Sequence, residues 1–151
     1  MFKERYFVIH YKPFGKVRAH PYVIGKHARM HDDDRNGTYE GIVRSEYLAQ
    51  VGDVPPLKDA VDVSICAYYP IAKSNIKTKA QRKAWEEGRL FPTIKPDLDN
   101  VVKSIFDALN GLAWIDDKQI TGMLVSKIYV PPGIAPQTHV HIMPANQAPE
   151  E

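Results

Sequence analysis

The chain has little cysteine and no long hydrophobic run. Its one cysteine in 151 residues excludes an internal disulfide and suits a reducing compartment. No stretch approaches the ~20 apolar residues that a membrane-spanning helix needs. The N-terminal residues also lack the apolar segment and cleavage site of a secretory signal. We therefore expect a cytoplasmic protein with no membrane partner.

A strong net charge is also lacking, but the charges are unevenly distributed. The formal net charge is +2, yet residues 73–95 hold seven lysines and arginines against Glu86 and Glu87. A second basic stretch covers residues 12–29. Carboxylates gather instead at residues 32–34 and 97–117. Each basic stretch alone could be an ordinary solvated surface, but separated patches of opposite sign can also bind separate parts of a charged partner.

Hydrophobic periodicity predicts a mixed α+β fold. Alternating residues indicate strands at 5–11, 60–69, 119–130 and 139–143, the third alternating through Ile120, Leu124 and Ile128. Three helices are predicted: a short one at 43–51 with Leu48 inward, a basic one opened by a Thr78 capping box with Ala80 inward, and a strongly amphipathic one at 100–111. Residues 25–41 are expected to form an irregular or hairpin loop.

The order of elements, strands then helices then strands, does not alternate regularly. We therefore predict one α+β domain at residues 1–143, with a small mixed sheet and two to three helices. The polar segment 144–151 is expected to be a disordered tail.

The most informative segment runs from Lys95 to Asn100. Asp97 and Asp99 are two apart in an extended stretch, so their side chains leave the backbone on the same side. Mg²⁺ is commonly bound by one or two carboxylates, with waters and substrate phosphates completing its shell. An alternative is that these aspartates merely cap a helix, with Asp99 as the N-cap residue. A calcium-binding EF-hand is excluded, because Val102 occupies the position that requires glycine.

Two further features follow on the chain. Lys103 lies one helical turn past Asn100 and could stabilise charge on a phosphoryl transition state. Without that context it is typical of a surface lysine. Asp116 and Asp117 form an acidic pair that, alone, is typical of an exposed turn.

Taken together, these residues resemble a known family. The run Asp97-Leu98-Asp99-Asn100, then Lys103, then Phe106 to Leu109, then Asp116-Asp117, is similar in order and spacing to the RusA family of Holliday junction resolvases. The resemblance is strong over residues 95–130. Residues 15–18 partly resemble the family's basic N-terminal loop, and residues 25–41 have no counterpart that we can assign.

The resemblance implies a Mg²⁺- or Mn²⁺-dependent endonuclease. It implies a homodimer that resolves four-way DNA junctions by paired symmetric nicks in recombination and repair, in a bacterial cell or phage-infected host. Asp97, Asp99 and Asp117 would bind metal and carry catalysis, with Lys103 assisting and Asp116 as an additional acid. The residues that we expect to contact DNA are Lys16, Arg18, Lys73, Lys77, Lys79, Arg82, Lys83 and Lys95.

The separation between the acids leaves one question open. A helix over 100–111 is roughly 18 Å long, so Asp99 and Asp117 lie near its opposite ends. The connection 112–116 could span about 17 Å when extended. Asp117 could therefore return within one chain or join the site from a second subunit.

Other functions remain compatible with these residues. The chain could be a metal-dependent nuclease for forks, flaps or duplex DNA, or a DNA-binding module without catalysis. A zinc site could use His20, His27 and His31 with the acids at 32–34, although the surrounding residues favour a loop.

Overall fold

The computed structural model describes residues 4–145, except for the side chains of His20 and His31. Two strands, β2 (His20–Ile24) and β3 (His27–His31), form a separate hairpin. Four strands form the main sheet: β1 (Arg5–Ile9), β4 (Val61–Tyr69), β5 (Ile120–Tyr129) and β6 (Gln137–Pro144). Three α-helices lie in the described part: α1 (Asp34–Gln50), α2 (Lys79–Glu86) and α3 (Leu98–Leu109). The predicted α+β class is confirmed.

The main sheet has the order β1-β6-β4-β5. β4 and β5 are parallel, whereas β6 is antiparallel to both β1 and β4. A parallel pair needs a long crossover, and residues 70–119 supply it with α2 and α3. Alternate residues of β4 from Val61 to Tyr69 are buried, as the alternating pattern predicted. They form the core together with the buried faces of α1 and α3.

Helix α3 forms because its apolar residues recur at helical spacing. Val101, Ile105, Ala108 and Leu109 are almost fully buried on its inner face. The helix ends at Leu109, and Gly111 just beyond its C-cap has a φ of 77°, a conformation that favours glycine. Beyond it, the backbone N–H of Leu57 donates to the carbonyl of Ala113, which ties the far end of α3 to the start of the sheet.

The sequence-based prediction for residues 25–41 was only partly right. A hairpin is present, but α1 begins at Asp34, far earlier than the predicted 43. Asp33 caps the helix by accepting from the backbone N–H of Arg35. Asn36 is fully buried, and its side chain bonds both the N–H and the carbonyl of Val17. These long-range contacts give the helix start a stability that the local pattern of charges does not indicate.

Other local predictions were wrong. Leu48 and Ala80 are exposed rather than inward. The helix N-cap is Asp97, and Asp99 lies in the first turn. The predicted tail lies outside the described residues beyond Ala145, and Pro144 ends β6. None of the helices within residues 4–145 has the length and apolarity to cross a membrane.

Candidate active site and nucleic-acid interface

The start of α3 presents two carboxylates to solvent. Asp97 is the N-cap, with φ and ψ of −70° and 152°, but its side chain makes no capping hydrogen bond. Asp99 follows in the first helical turn. Both side chains are exposed, and neither forms a hydrogen bond or ion pair with another described residue. Capping therefore does not account for Asp97, and both carboxylates are free to bind a cation.

The loop before the helix is held from the sheet. Tyr69, the last residue of β4, donates its hydroxyl hydrogen to the carbonyl of Pro96. Lys127 of β5 donates to the carbonyls of Ile94 at 2.9 Å and Pro96 at 3.4 Å, and its Nζ lies 5.2 Å from the centre of the Tyr69 ring. Two adjacent strands thus determine where Asp97 begins the helix. Sequence reasoning missed both residues, because only the register of β4 with β5 brings them together.

The pKa of Tyr69 is consistent with its role as a hydrogen-bond donor to the carbonyl of Pro96. Burial, followed by the negative charge of Asp97, raises the pKa of the Tyr69 hydroxyl to about 12. The phenol therefore keeps its proton at neutral pH and remains a hydrogen-bond donor to Pro96.

The basic N-terminal loop packs directly on this helix start. A Cβ atom on Gly15 would meet the Cβ of Pro96 at 2.5 Å, so only glycine allows this close approach. The next residue, Lys16, donates its backbone N–H to the carbonyl of Asn100 at 2.9 Å. The loop and the acidic segment therefore form one unit.

The side chain of Lys16 is occupied within the protein. Its Nζ lies 3.0 Å from a carboxylate oxygen of Asp107 and 3.2 Å from one of Glu40. Burial alone would lower the pKa of Lys16, but its bonds to Asp107 and Glu40 outweigh burial and raise that pKa. Lys103 also pairs with Asp107, at 3.2 Å, and stays 59% exposed. Lys103 can thus reach a ligand, whereas Lys16 is largely committed to holding α1 and α3 together.

A cleft of about 800 Å³ opens beside the acidic helix start. Asp97 and Asn100 lie on one side of it. Aromatic and basic side chains make up much of the rest: Tyr11, Phe14, Tyr39, Tyr69, Lys12, Lys16, Arg35 and Lys95. Aromatic faces with nearby cations suit nucleobases and phosphates. The sequence did not reveal this cleft, because its walls come from distant segments.

The basic segment at residues 73–83 lies at the same end of the sheet. It follows directly on the end of β4, as a 3₁₀ turn (Lys73–Ile76) and helix α2. Trp85 of α2 donates its indole N–H to the carbonyl of Val130 at 2.6 Å, and Val130 in turn bonds Tyr69. Of the eight residues expected to contact DNA, Lys16 is only partly exposed. The other seven are exposed: Arg18, Lys73, Lys77, Lys79, Arg82, Lys83 and Lys95.

Asp116 and Asp117 lie at the opposite end of the main sheet, just before β5. They begin a 3₁₀ turn, Asp117–Gln119, that leads into β5. The side chain of Gln119 anchors this turn to the carbonyls of Leu57 and Asp59. The backbone N–H of Lys118 donates to Asp116 and is the main cause of a lowered pKa of that carboxyl.

The separation between the two acidic groups follows from strand register. Ile120 pairs with Val61, whereas Tyr69, beside Asp97, is at the other end of β4. Eight residue steps along a strand span roughly 26 Å. No group of three or more histidine, cysteine or acidic side chains suited to a metal occurs among the described residues. Within one chain, Asp97 and Asp99 are therefore together and Asp117 is not.

The zinc hypothesis gains no support from this geometry. Asp33 is engaged by the backbone N–H and guanidinium of Arg35. His27 is exposed on β3, and the side chains of His20 and His31 lie outside the description.

Comparison with known proteins identifies the family of this chain. The profile of the family described as "Endodeoxyribonuclease RusA" matches residues 10–143. The chain is also 32% identical to the "Uncharacterized protein YqaN" of Bacillus subtilis (strain 168) over 126 residues, which cover 82% of this chain and 86% of that protein. The match begins just after β1 and runs almost to the end of β6, so it includes both acidic segments, and on this ground the chain belongs to the RusA family of endodeoxyribonucleases.

Proposed function

We propose that this protein is a divalent-metal-dependent endonuclease that resolves four-way DNA junctions by paired symmetric nicks. The observation that carries the proposal is the pair of exposed carboxylates, Asp97 and Asp99, which have no side-chain partner among residues 4–145. Asp97 also lines an aromatic and basic cleft. Family membership supports nuclease chemistry. The junction substrate, the metal and the dimer are parts of the proposal.

The residues at the helix start fit a hard divalent cation. Carboxylate oxygens are the donors that Mg²⁺ and Mn²⁺ prefer. No described lysine or arginine pairs with either carboxylate, so a bound cation would supply the positive charge that the described residues do not. Asp97 and Asp99 would hold the cation, and Asp117, with Asp116 beside it, would join from a second subunit.

The chemistry is hydrolysis of a phosphodiester. The oxygen of a water molecule bonds to phosphorus, the bond from phosphorus to the 3′ oxygen breaks, and a proton passes to that leaving oxygen. The products carry a 5′-phosphate and a 3′-hydroxyl, which a ligase can seal. When bound, the cation would polarise the water and neutralise charge on the scissile phosphate. Lys103, exposed one turn beyond Asp99, would stabilise the additional negative charge of the transition state.

DNA would cross the end of the sheet where β4 finishes. The basic residues of the 73–83 segment would bind phosphates there. The cleft would accept a strand close to Asp97. A twofold homodimer would present two such sites, which matches a junction that needs two symmetric cuts.

A cleavage assay tests the proposal. Wild-type protein with Mg²⁺ should nick a mobile four-way junction at paired positions, and Asp97→Asn should lose cleavage by at least about a thousandfold while it still binds the junction. Asp53→Asn, which removes an exposed carboxylate outside the site, is the matched control and should cut normally. Normal cutting by Asp97→Asn would contradict the metal-site assignment.

The same assay distinguishes other substrates. A fork or linear duplex that is cut as fast as the junction would show a nuclease with different shape recognition. Binding without any metal-dependent nicking would show a DNA-binding module. We favour the junction because of the family match.

A further inference from the structure

We propose that the β2–β3 hairpin is an arm that lies in the major groove of double-stranded DNA, on the duplex next to the strand in the cleft. This inference rests on the proposed function, because it adds a second contact surface for the same DNA. It gives a role to residues 20–31, which neither the acidic site nor the basic segment at residues 73–83 uses.

The hairpin stands away from the core of the domain. It is a separate two-stranded sheet, and every residue from 21 to 30 is exposed. Among these residues, Val23 is 71% exposed, Ile24 is 63% exposed and Met30 is 66% exposed. An isolated pair of strands is only marginally stable in water, and exposed apolar residues on such an element mark an interaction surface. A partner that covers the hairpin would therefore stabilise it.

The charge of the hairpin selects an anionic partner. Residues 18–31 contain Arg18, Lys26 and Arg29 and no acidic residue. Neither Lys26 nor Arg29 forms an ion pair with a side chain that the structure describes. Cations without a protein partner can take the place of the counterions around DNA phosphates. The hairpin is therefore complementary in charge to a nucleic acid.

The shape of the hairpin matches a groove of duplex DNA. The strand register places Val23 and Met30 on one face, whereas Arg29 lies on the other face and Lys26 lies in the turn. The major groove is about 12 Å wide and admits a two-stranded ribbon. Its floor presents thymine methyl groups, and its walls carry phosphates. The apolar face would meet the floor, and the two long cationic side chains would reach the walls.

The root of the hairpin is fixed beside the acidic helix start. The buried side chain of Asn36 accepts from the N–H of Val17 at 2.9 Å and donates to its carbonyl at 2.8 Å, just before β2. The same amide donates to the carboxylate of Asp32 at 2.8 Å, just after β3. Val17 also lines the cleft that contains Asp97. A ligand of the hairpin is therefore next to the ligand of the cleft, which favours DNA over an acidic protein.

The length of the strands determines how far the arm extends. Each strand has five residues, which span roughly 17 Å. Base pairs of duplex DNA are ~3.4 Å apart along the helix axis. The hairpin would therefore contact about five base pairs beyond its root.

Salt dependence tests the cationic contacts of the hairpin. The double variant Lys26→Gln and Arg29→Gln should make the slope of log K against log salt for junction binding shallower by about 1.8, because two phosphate contacts are lost. Both residues are exposed, so the circular dichroism spectrum should not change. Arg89→Gln is the matched control, since its cation is already paired with Glu87, and it should change the slope much less. A double variant with the wild-type slope would overturn the inference.

Apolar substitutions test the other face. The double variant Val23→Ser and Met30→Ser should weaken junction binding roughly tenfold, because apolar contacts with the groove are lost, and should keep the wild-type salt slope. Fluorescence anisotropy gives the affinity, and sedimentation gives the association state of the free protein. A variant that associates differently but binds DNA as wild type does would show that this face contacts protein, and it would refute the inference.

A shortened hairpin separates this inference from the proposed function. His20 and His31 are paired across the hairpin, so an Asn-Gly turn can replace residues 21–30 and still join the two strands. Hydroxyl-radical footprinting on a junction should show that wild-type protein protects about five base pairs more than the shortened variant. Protection of guanine N7 from methylation, an atom in the major groove, should be lost over the same base pairs. Equal footprints from a protein that nicks junctions would refute the inference and leave the proposed function intact. A longer wild-type footprint without metal-dependent nicking would support the arm and refute the proposed function.

Discussion

A few side chains position the segment that carries Asp97 and Asp99 by binding the carbonyl of Pro96. Tyr69 and Lys127 both donate to this oxygen, and Gly15 packs on the proline ring. The side chains of Asp97 and Asp99 have no partner in the described part of the chain, so their positions depend on the backbone that carries them. A nuclease site needs this support, because a displacement of about 1 Å can lower the rate roughly a hundredfold.

The Tyr69→Phe variant tests this support. It removes one hydrogen bond to Pro96, so the free energy of unfolding should fall by about 1 kcal/mol. The rate of junction cleavage should fall by roughly tenfold, because the helix start loses one of its two anchors. Urea denaturation and single-turnover cleavage measure the two effects.

Tyr47→Phe is the matched control for Tyr69→Phe. The Tyr47 hydroxyl is also buried and also hydrogen-bonded, accepting from Arg5 at 2.7 Å, but it lies away from the cleft. It should lose similar stability and keep its cleavage rate. Equal losses of activity in both variants would contradict a positioning role for Tyr69.

At the scale of elements, the basic segment and the acidic helix start share one end of the sheet. Helix α2 is anchored there by Trp85, and its exposed cations are directed outward rather than into the core. Arg89, just beyond α2, is already paired with Glu87 at 2.7 Å. Cations without such a partner are the ones that can exchange counterions for DNA phosphates.

The salt dependence of DNA binding tests α2. Lys79→Gln should weaken junction binding and make the slope of log K against log salt shallower by about 0.9, the change expected from one lost phosphate contact. Arg89→Gln, which removes a cation that is already paired, should change the slope much less. Fluorescence anisotropy at several salt concentrations gives both slopes, and identical slopes for wild type and Lys79→Gln would remove α2 from the DNA interface.

The elements also show what the sequence could and could not predict. Strand β4, helix α3 and the Thr78 capping box were correctly predicted, because alternation, helical spacing and capping are local patterns. The first half of α1 was missed, because Asn36 is stabilised by Val17, nineteen residues earlier. Asp97 and Asp99 were predicted to lie in one extended stretch, but the helix begins between them, with Asp97 as the N-cap and Asp99 in the first turn. The place of Asp117 could not be predicted, because it depends on the parallel register of β4 and β5.

At the scale of the whole molecule, the sheet keeps the two acidic groups apart in one chain. Asp97 lies beside the end of β4, and Asp117 lies just before the start of its parallel neighbour. A site that needs both must therefore be completed by another copy. The match to the RusA family extends over both groups.

Subunit mixing tests the shared site. Asp97→Asn and Asp117→Asn homodimers should both be inactive. A mixed dimer contains one site with both mutations and one site with neither, so nicking should return at one strand of the junction and reach at most about half of the wild-type rate. Denatured and refolded mixtures, analysed on strand-specific labelled junctions, provide the measurement. Mixtures that stay inactive would contradict a site shared between subunits.

The length of strands β4 and β5 has a consequence for a cell that makes this protein. With the proposed site, a newly synthesised chain would carry only part of the acidic set at either end of its sheet, so it would cut no DNA while it is scarce and alone. Cutting would begin only above the concentration at which chains associate, and dilution would switch it off without any inhibitor. The length of the β4–β5 pair would thereby make DNA cleavage depend on the concentration of the protein.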